Sequence, residues 1–110
     1  MTSPYTYLDL LTSLPEITAD TIVSRTIFSD DQMKAVLFGF AAGQELSEHT
    51  AAMPAVIHIV TGEARLTLGG DSVEQAKAGA WIHMPANLPH SVFAKTPVVM
   101  LLLLLKSNAT

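Results

Sequence analysis

The stretch AVIHIVTGEARLTLGGD, Ala55 to Asp71, decides how this chain folds. It opens on an apolar run rich in Ile and Val and breaks at Gly62-Glu63. It then alternates Arg65 and Thr67 with Leu66 and Leu68, and breaks again at Gly69-Gly70-Asp71. Alternation with a period of two marks a half-buried strand. Two such runs separated by a glycine turn read as a strand pair.

The same punctuation recurs on both sides. SVEQAKAG, from Ser72, is a short strand running into a turn at Gly79. AWIHM is a strand closed by Pro85, PANLP is a proline-bracketed loop, and HSVFA begins a further strand. Upstream, DTIVSRTIF (Asp20 to Phe28) and QMKAVLFGFAAG (Gln32 to Gly43) flank a polar turn at Ser29, Asp30 and Asp31. Met33, Ala35 and Leu37 give the second of these a helical rival, but its β-branched and aromatic residues and its glycines favour a strand. With the run Val98 to Leu105, about eight short strands emerge, with no alternating helices and no repeat. That pattern predicts an all-β sandwich or barrel. The barrel domain spans residues 19–106. An irregular arm, residues 1–18, precedes it, with TYLDLLTSL as a turn of helix stopped by Pro15. A polar tail, residues 107–110, follows.

The segment PVVMLLLLLK, Pro97 to Lys106, is far shorter than the roughly 20 apolar residues a membrane-crossing helix needs. It reads as a strand covered on both faces, its outer face meeting the N-terminal segment or a second subunit. The chain is 49% apolar and only 15% charged, which points the same way, to a homodimer. A net charge of -4 with no basic patch argues against nucleic-acid binding. The absence of cysteine removes disulfides and thiol nucleophiles and fits the cytoplasm. MTSPYTYLDLL carries neither the basic start nor the long apolar stretch of a signal peptide, and no membrane partner is expected.

The chemistry rests on four histidines: His49, His58, His83 and His90. Imidazole is the commonest protein ligand for borderline metals, and three suffice for a site with open positions. Two glycine-anchored patterns frame them. One is Gly43-QELSE-His49, with Gly62 downstream. The other is Gly79-AWIHM-Pro85-Ala-Asn87-LP-His90. Their order and spacing resemble the two motifs of the cupin superfamily. The resemblance covers about Val36 to Ala94 and implies a double-stranded β-helix, or jelly-roll barrel.

The resemblance places His49 on the first ligand histidine and His90 on the third. The second falls on Ala51, and the usual acid falls on Pro54 or Ala55. Asn87 stands for a glycine at a turn with positive φ, a conformation Asn tolerates. Ala94 stands where an Asn is usual. If the acid position is Pro54, His58 looks into the barrel; if it is Ala55, His58 looks out. An inward His58 would complete a His49–His58–His90 site for a divalent transition metal: Zn, Fe, Mn, Ni or Cu.

His83 shares the parity of Trp81, opposite Ile82 and Met84, and reads as structural. Met53, Met84, Phe38, Phe40 and Phe93 could line a barrel mouth but more simply fill the core. Glu45 and Glu48 read as solvated acids near His49. Two functions follow. One is a metal-binding barrel acting on a small molecule by oxygenation, isomerisation or hydrolysis. The other is a non-catalytic binding or sensing module, with a degenerate metal site, for a small organic acid.

Overall fold

The computed structural model describes residues 4–14 and 16–106. Nine strands follow one another: β1 (Ile22–Ser29), β2 (Met33–Phe40), β3 (Glu45–His49), β4 (Ala55–Thr61), β5 (Glu63–Leu68), β6 (Asp71–Lys77), β7 (Trp81–Met84), β8 (His90–Ala94) and β9 (Val98–Leu105). They form two antiparallel sheets, ordered β1-β2-β9-β4-β7 and β3-β8-β5-β6. The protein is all-β, as its turn spacing and strand patterns predict. In the arm, Leu10–Thr12 form a single 3-10 turn whose start is capped by the Asp9 side chain. Pro15 and the tail at 107–110 lie outside the described residues. No helix among the described residues is long and apolar enough to cross a membrane.

The ninth strand, β3, corrects the expected count. ELSEH carries only one apolar residue, Leu46, so its sequence looks like a loop. It is held as an edge strand by pairing with β8, where Glu45 faces Phe93 and Leu46 faces Val92. Backbone hydrogen bonds stabilise such a strand whatever its exposed side chains are.

Cross-strand pairing sorts the larger sheet into faces. Ser29, Lys34, Leu104, Ala55 and Met84 lie in one row across its five strands. Leu104, Ala55 and Met84 belong to or pack on the core, so this row faces the second sheet. The adjacent row, Phe28, Ala35, Leu103, Val56 and His83, faces outward, as does the next: Arg25, Leu37, Leu101, His58 and Trp81. Between the sheets, Phe40, Ile59, Leu66, Val92 and Met100 are essentially sealed from solvent. Each such side chain contributes roughly 1.5–3 kcal/mol by burial.

The outer face is also largely apolar, and the N-terminal segment covers part of it. Ile17 and Leu14 cross above Gly39 so closely that a Cβ there would stand 2.6 Å from Ile17 Cδ1. Arg25 ties the segment down by donating to the Ser13 carbonyl at 3.1 Å. Leu37, although outward-facing, is fully buried. The N-terminal segment therefore covers part of this outer face, on the β1–β2 side. At the opposite end, β4 turns into β5 through Gly62, beneath the backbone that enters β9.

Candidate functional site

One end of the barrel is built by the 50–54 loop, which joins β3 to β4, and the 85–89 loop, which joins β7 to β8. The Asn87 amide ties them together by donating to the Ala51 carbonyl at 2.7 Å. Asn87 has φ 67°, the left-handed conformation expected where Asn replaces glycine. This loop delivers His90 to the first position of β8, with the inward parity of Val92 and Ala94. His90 is 5% exposed.

His49 sits directly across from it, at the end of β3. From Leu46 to His49 is three steps, while the paired positions on β8, Val92 and His90, are two apart. A β-bulge absorbs the extra residue and keeps both Leu46 and His49 on the inner face. The two imidazoles meet with ring centroids 4.2 Å apart and planes tilted by 59°.

Both rings are fixed in the same way. His49 Nδ1 lies 2.8 Å from the Ser47 carbonyl, and His90 Nδ1 lies 2.8 Å from the Leu88 carbonyl. A carbonyl only accepts, so each Nδ1 carries a proton and each neutral ring keeps its lone pair on Nε2. Among the described residues no buried side-chain nitrogen or oxygen lacks a partner. The free Nε2 of His90 is therefore open to the mouth. The site is a rigid pair of acceptors presented side by side.

His58 does not join them. It alternates along β4 with Ile57 and Ile59, which lie in the core, and pairs with Leu101 and with the exposed Trp81. Ala55, and not Pro54, is the inward residue at the start of β4. This resolves the two alignments against an inward His58. The expected three-histidine set is split: His49 and His90 face inward from the smaller sheet, and His58 lies on the outer face of the larger one. Among the described residues no group of three or more His, Cys, Asp or Glu could hold a metal ion.

The other candidates separate as follows. His83 is exposed on the outer face opposite Val56, matching its Trp81 parity. Phe40 and Met84 are core, and Phe38 packs against it. Phe93 faces outward from β8 beneath Arg65, whose guanidinium carbon stands 4.8 Å from the ring centre. Met53 is half-buried in the 50–54 loop, and Glu45 and Glu48 are exposed.

Lys34 is the residue that sequence reading passed over. It is half-buried and lies in the inner row with Leu104, Ala55 and Met84, at the end where the histidines meet. A signal was present: Lys34 breaks the parity of Val36, Phe38 and Phe40, all on its own strand face.

Comparison with known proteins fits this geometry. The model of the cupin domain matches residues 36–104. The chain belongs to the cupin family. No curated protein matches it. Among solved structures, this cupin is similar to a conserved protein of unknown function from Streptococcus pyogenes, at 29% identity and a TM-score of 0.82, covering 98% of this chain and 93% of that one. It is also similar to a cupin superfamily protein from Desulfitobacterium hafniense, at 25% identity and a TM-score of 0.82, covering 94% of both chains. An RmlC-like cupin protein from Desulfovibrio desulfuricans matches at 27% identity with a TM-score of 0.80, covering 92% of this chain and 97% of that one. Against the family's motifs, this cupin keeps His49 and His90 and has methyl groups or a pyrrolidine ring where the other donors would be.

That donor set fits a resident metal poorly. Catalytic zinc sites use three protein ligands and structural ones four. This cupin offers two imidazoles, and Ala51, Pro54 and Ala55 have no side-chain donor to add. The orientation of the rings is nevertheless suited to accepting from, or ligating, whatever enters between them.

Proposed function

We propose that this cupin is a binding module for a small organic acid, held at the barrel mouth by His49, His90 and Lys34. The observation that carries the reading is the His49–His90 pair. The two rings, with centroids 4.2 Å apart, each present an Nε2 lone pair, and a hydroxy acid can donate to these through its hydroxyl groups. A carboxylate would also offset the charge of Lys34, which is half-buried in the inward row at this end of the barrel. Fold membership alone assigns no activity, so the proposal rests on these side chains.

A second reading is favoured by the Nδ1 anchors, which are the orientation that metal-ligating histidines take. A divalent cation would be held by the protein at two points, and the ligand would have to supply the other donors.

The deciding experiment is a thermal-shift and calorimetric panel of small hydroxy- and dicarboxylic acids, run beside zinc and nickel chlorides. The first reading expects a saturable acid response that His90→Gln and Lys34→Met each remove. A stoichiometric metal retained after dialysis, and lost in His90→Gln, would establish the second reading instead. No acid in the panel binding would sink the first.

A further inference from the structure

At the end of the barrel where the histidines meet, the larger sheet carries two lysines on its inner face. Lys34 stands in the inner row, between Ser29 on β1 and Leu104 on β9. Lys106 follows β9, and its amide donates to the Gln32 carbonyl at 2.8 Å, prolonging the β2–β9 ladder by one rung. It therefore keeps the inward parity of Leu104. Its Cα is a diagonal neighbour of that of Lys34, about 7–8 Å away. Its side chain runs back across β2. There Nζ donates to the Asp30 carbonyl at 2.7 Å and to Ser29 Oγ at 3.4 Å. Ser29 is the cross-strand partner of Lys34, so two half-buried lysines border one hydroxyl.

We propose that Ser29, Lys34 and Lys106 form the carboxylate-binding end of the mouth, and that its ligand is a hydroxy acid whose hydroxyl lies several bonds from the carboxylate. This rests on the mouth being an acid-binding site, as proposed above. Two neighbouring ammonium groups repel each other, and half-burial weakens the screening of that repulsion. Among the described residues neither lysine has an ion pair with a carboxylate, the one such pair being Lys95–Glu63. Asp30 balances Lys106 in part. Its carboxyl feels the Lys106 charge, but its Oδ1 is taken by the Gln32 and Met33 amides. Asp31, next in the turn, is exposed to water, which screens it. One positive charge is left over, and a single carboxylate matches it. Donors remain to hold that group. An ammonium has three N–H donors. Lys106 uses two of them, and Lys34 uses none among the described residues. Ser29 Oγ accepts from Lys106 and keeps its own proton to donate.

The histidines and the lysines stand on different sheets. His49 and His90 look inward from β3 and β8, Lys34 and Lys106 from β2 and the end of β9. Packed sheets lie about 10 Å apart. The lone pairs on one wall take hydroxyl protons, and the cations on the other take the anion. A ligand that engages both walls must carry its two functions apart. The mouth thus selects on the distance between hydroxyl and carboxylate.

The test follows the lysine side-chain and imidazole NMR signals of the whole chain during titration with hexanoate, α-hydroxyhexanoate, ω-hydroxyhexanoate and inorganic phosphate. Hexanoate should move Lys34 and Lys106 alone. The ω-hydroxy acid should also move His49 and His90, and bind about ten-fold or more tighter than its α isomer. Lys106→Met should weaken it by a similar factor and Lys106→Arg should restore most of the loss, with circular dichroism checking that both variants fold. Signals of His49, His90 and Lys34 that move without Lys106, or full affinity in a folded Lys106→Met, would overturn the carboxylate end and leave the acid-binding reading standing. Lysine signals that move while both histidines stay still would support the carboxylate end and overturn the reading of the histidine pair. Equal affinity for the two hydroxy acids, or phosphate binding more tightly than hexanoate, would overturn the proposal. So would lysines that answer no probe.

Discussion

Replacing Gly62 with alanine probes the turn that joins the two sheets. Gly62 has φ 88°, a left-handed conformation. Any side chain there is disfavoured by about 1–2 kcal/mol. A Cβ would also overlap the Pro97 carbonyl oxygen and stand 2.9 Å from Val98 Cα. Both are backbone atoms at the entry to β9, so no rotamer change relieves the overlap. Forcing extra volume into such a packed position costs a further 1–3 kcal/mol, roughly. The expected loss is therefore about 2–5 kcal/mol in all. At about 4–8 °C per kcal/mol for a domain near this size, the Tm should fall by about 8–40 °C. Gly43→Ala is the control. Its φ is 84°, but its Cβ would meet nothing within 4 Å, so only the conformational part remains, about 4–15 °C. Calorimetry or circular dichroism on both variants reads the difference directly. Equal losses in the two would refute the claim that the Pro97 backbone closes over Gly62.

Other outcomes follow from the same coordinates. Leu66→Ala, at a fully buried position between the sheets, should cost about 2–5 kcal/mol in urea unfolding. Asn87→Gly should be neutral or slightly stabilising and Asn87→Val strongly destabilising, because the loop needs φ 67° there. Asp30 accepts from the Gln32 and Met33 amides at 2.8 and 2.9 Å, and these bonds, then Lys106, hold its carboxyl below the usual carboxylate value. That stabilisation is present above the unfolded-state pKa and is lost as pH falls through the folded one. The stability gap between wild type and Asp30→Ala should therefore hold at neutral pH and narrow as pH falls below the ordinary Asp value of about 3.9. Imidazole nitrogen NMR should show His49 and His90 as Nδ1–H tautomers when neutral. An Nε2–H tautomer at either ring would contradict the carbonyl anchors.

Much of the fold was legible because turns and parity are local. Gly62, Gly79 and the Pro85–Pro89 loop punctuate the strands, and β5 alternates cleanly. The motif glycines and Asn87 adopt the positive φ their positions demanded. The edge strand β3 was not legible, since its side chains are exposed and its pairing is made by backbone. The orientation of His58 was undecided for a related reason. Val56, Ile57 and Ile59 are all buried, on opposite faces, because the sheet has apolar surface on both sides. Alternation carries no information when both parities are apolar. The pairing of His49 with His90 follows from motif spacing, but the counts do not explain why His49 faces inward. That depends on the bulge.

The bulge in β3 has a consequence for the chemistry at the mouth. In a regular strand the inward residue two places after Leu46 would be Glu48, and His49 would turn to solvent. The bulged pairing is thus a selector between a carboxylate and an imidazole opposite His90. It also takes the Ser47 carbonyl out of the regular ladder and leaves it to hold the His49 ring. Deleting Ser47 would make the count even, restore an uninterrupted ladder and still present the imidazole, now without its anchor. Two registers of one short strand therefore present two different mouths, and the bulge decides which is built.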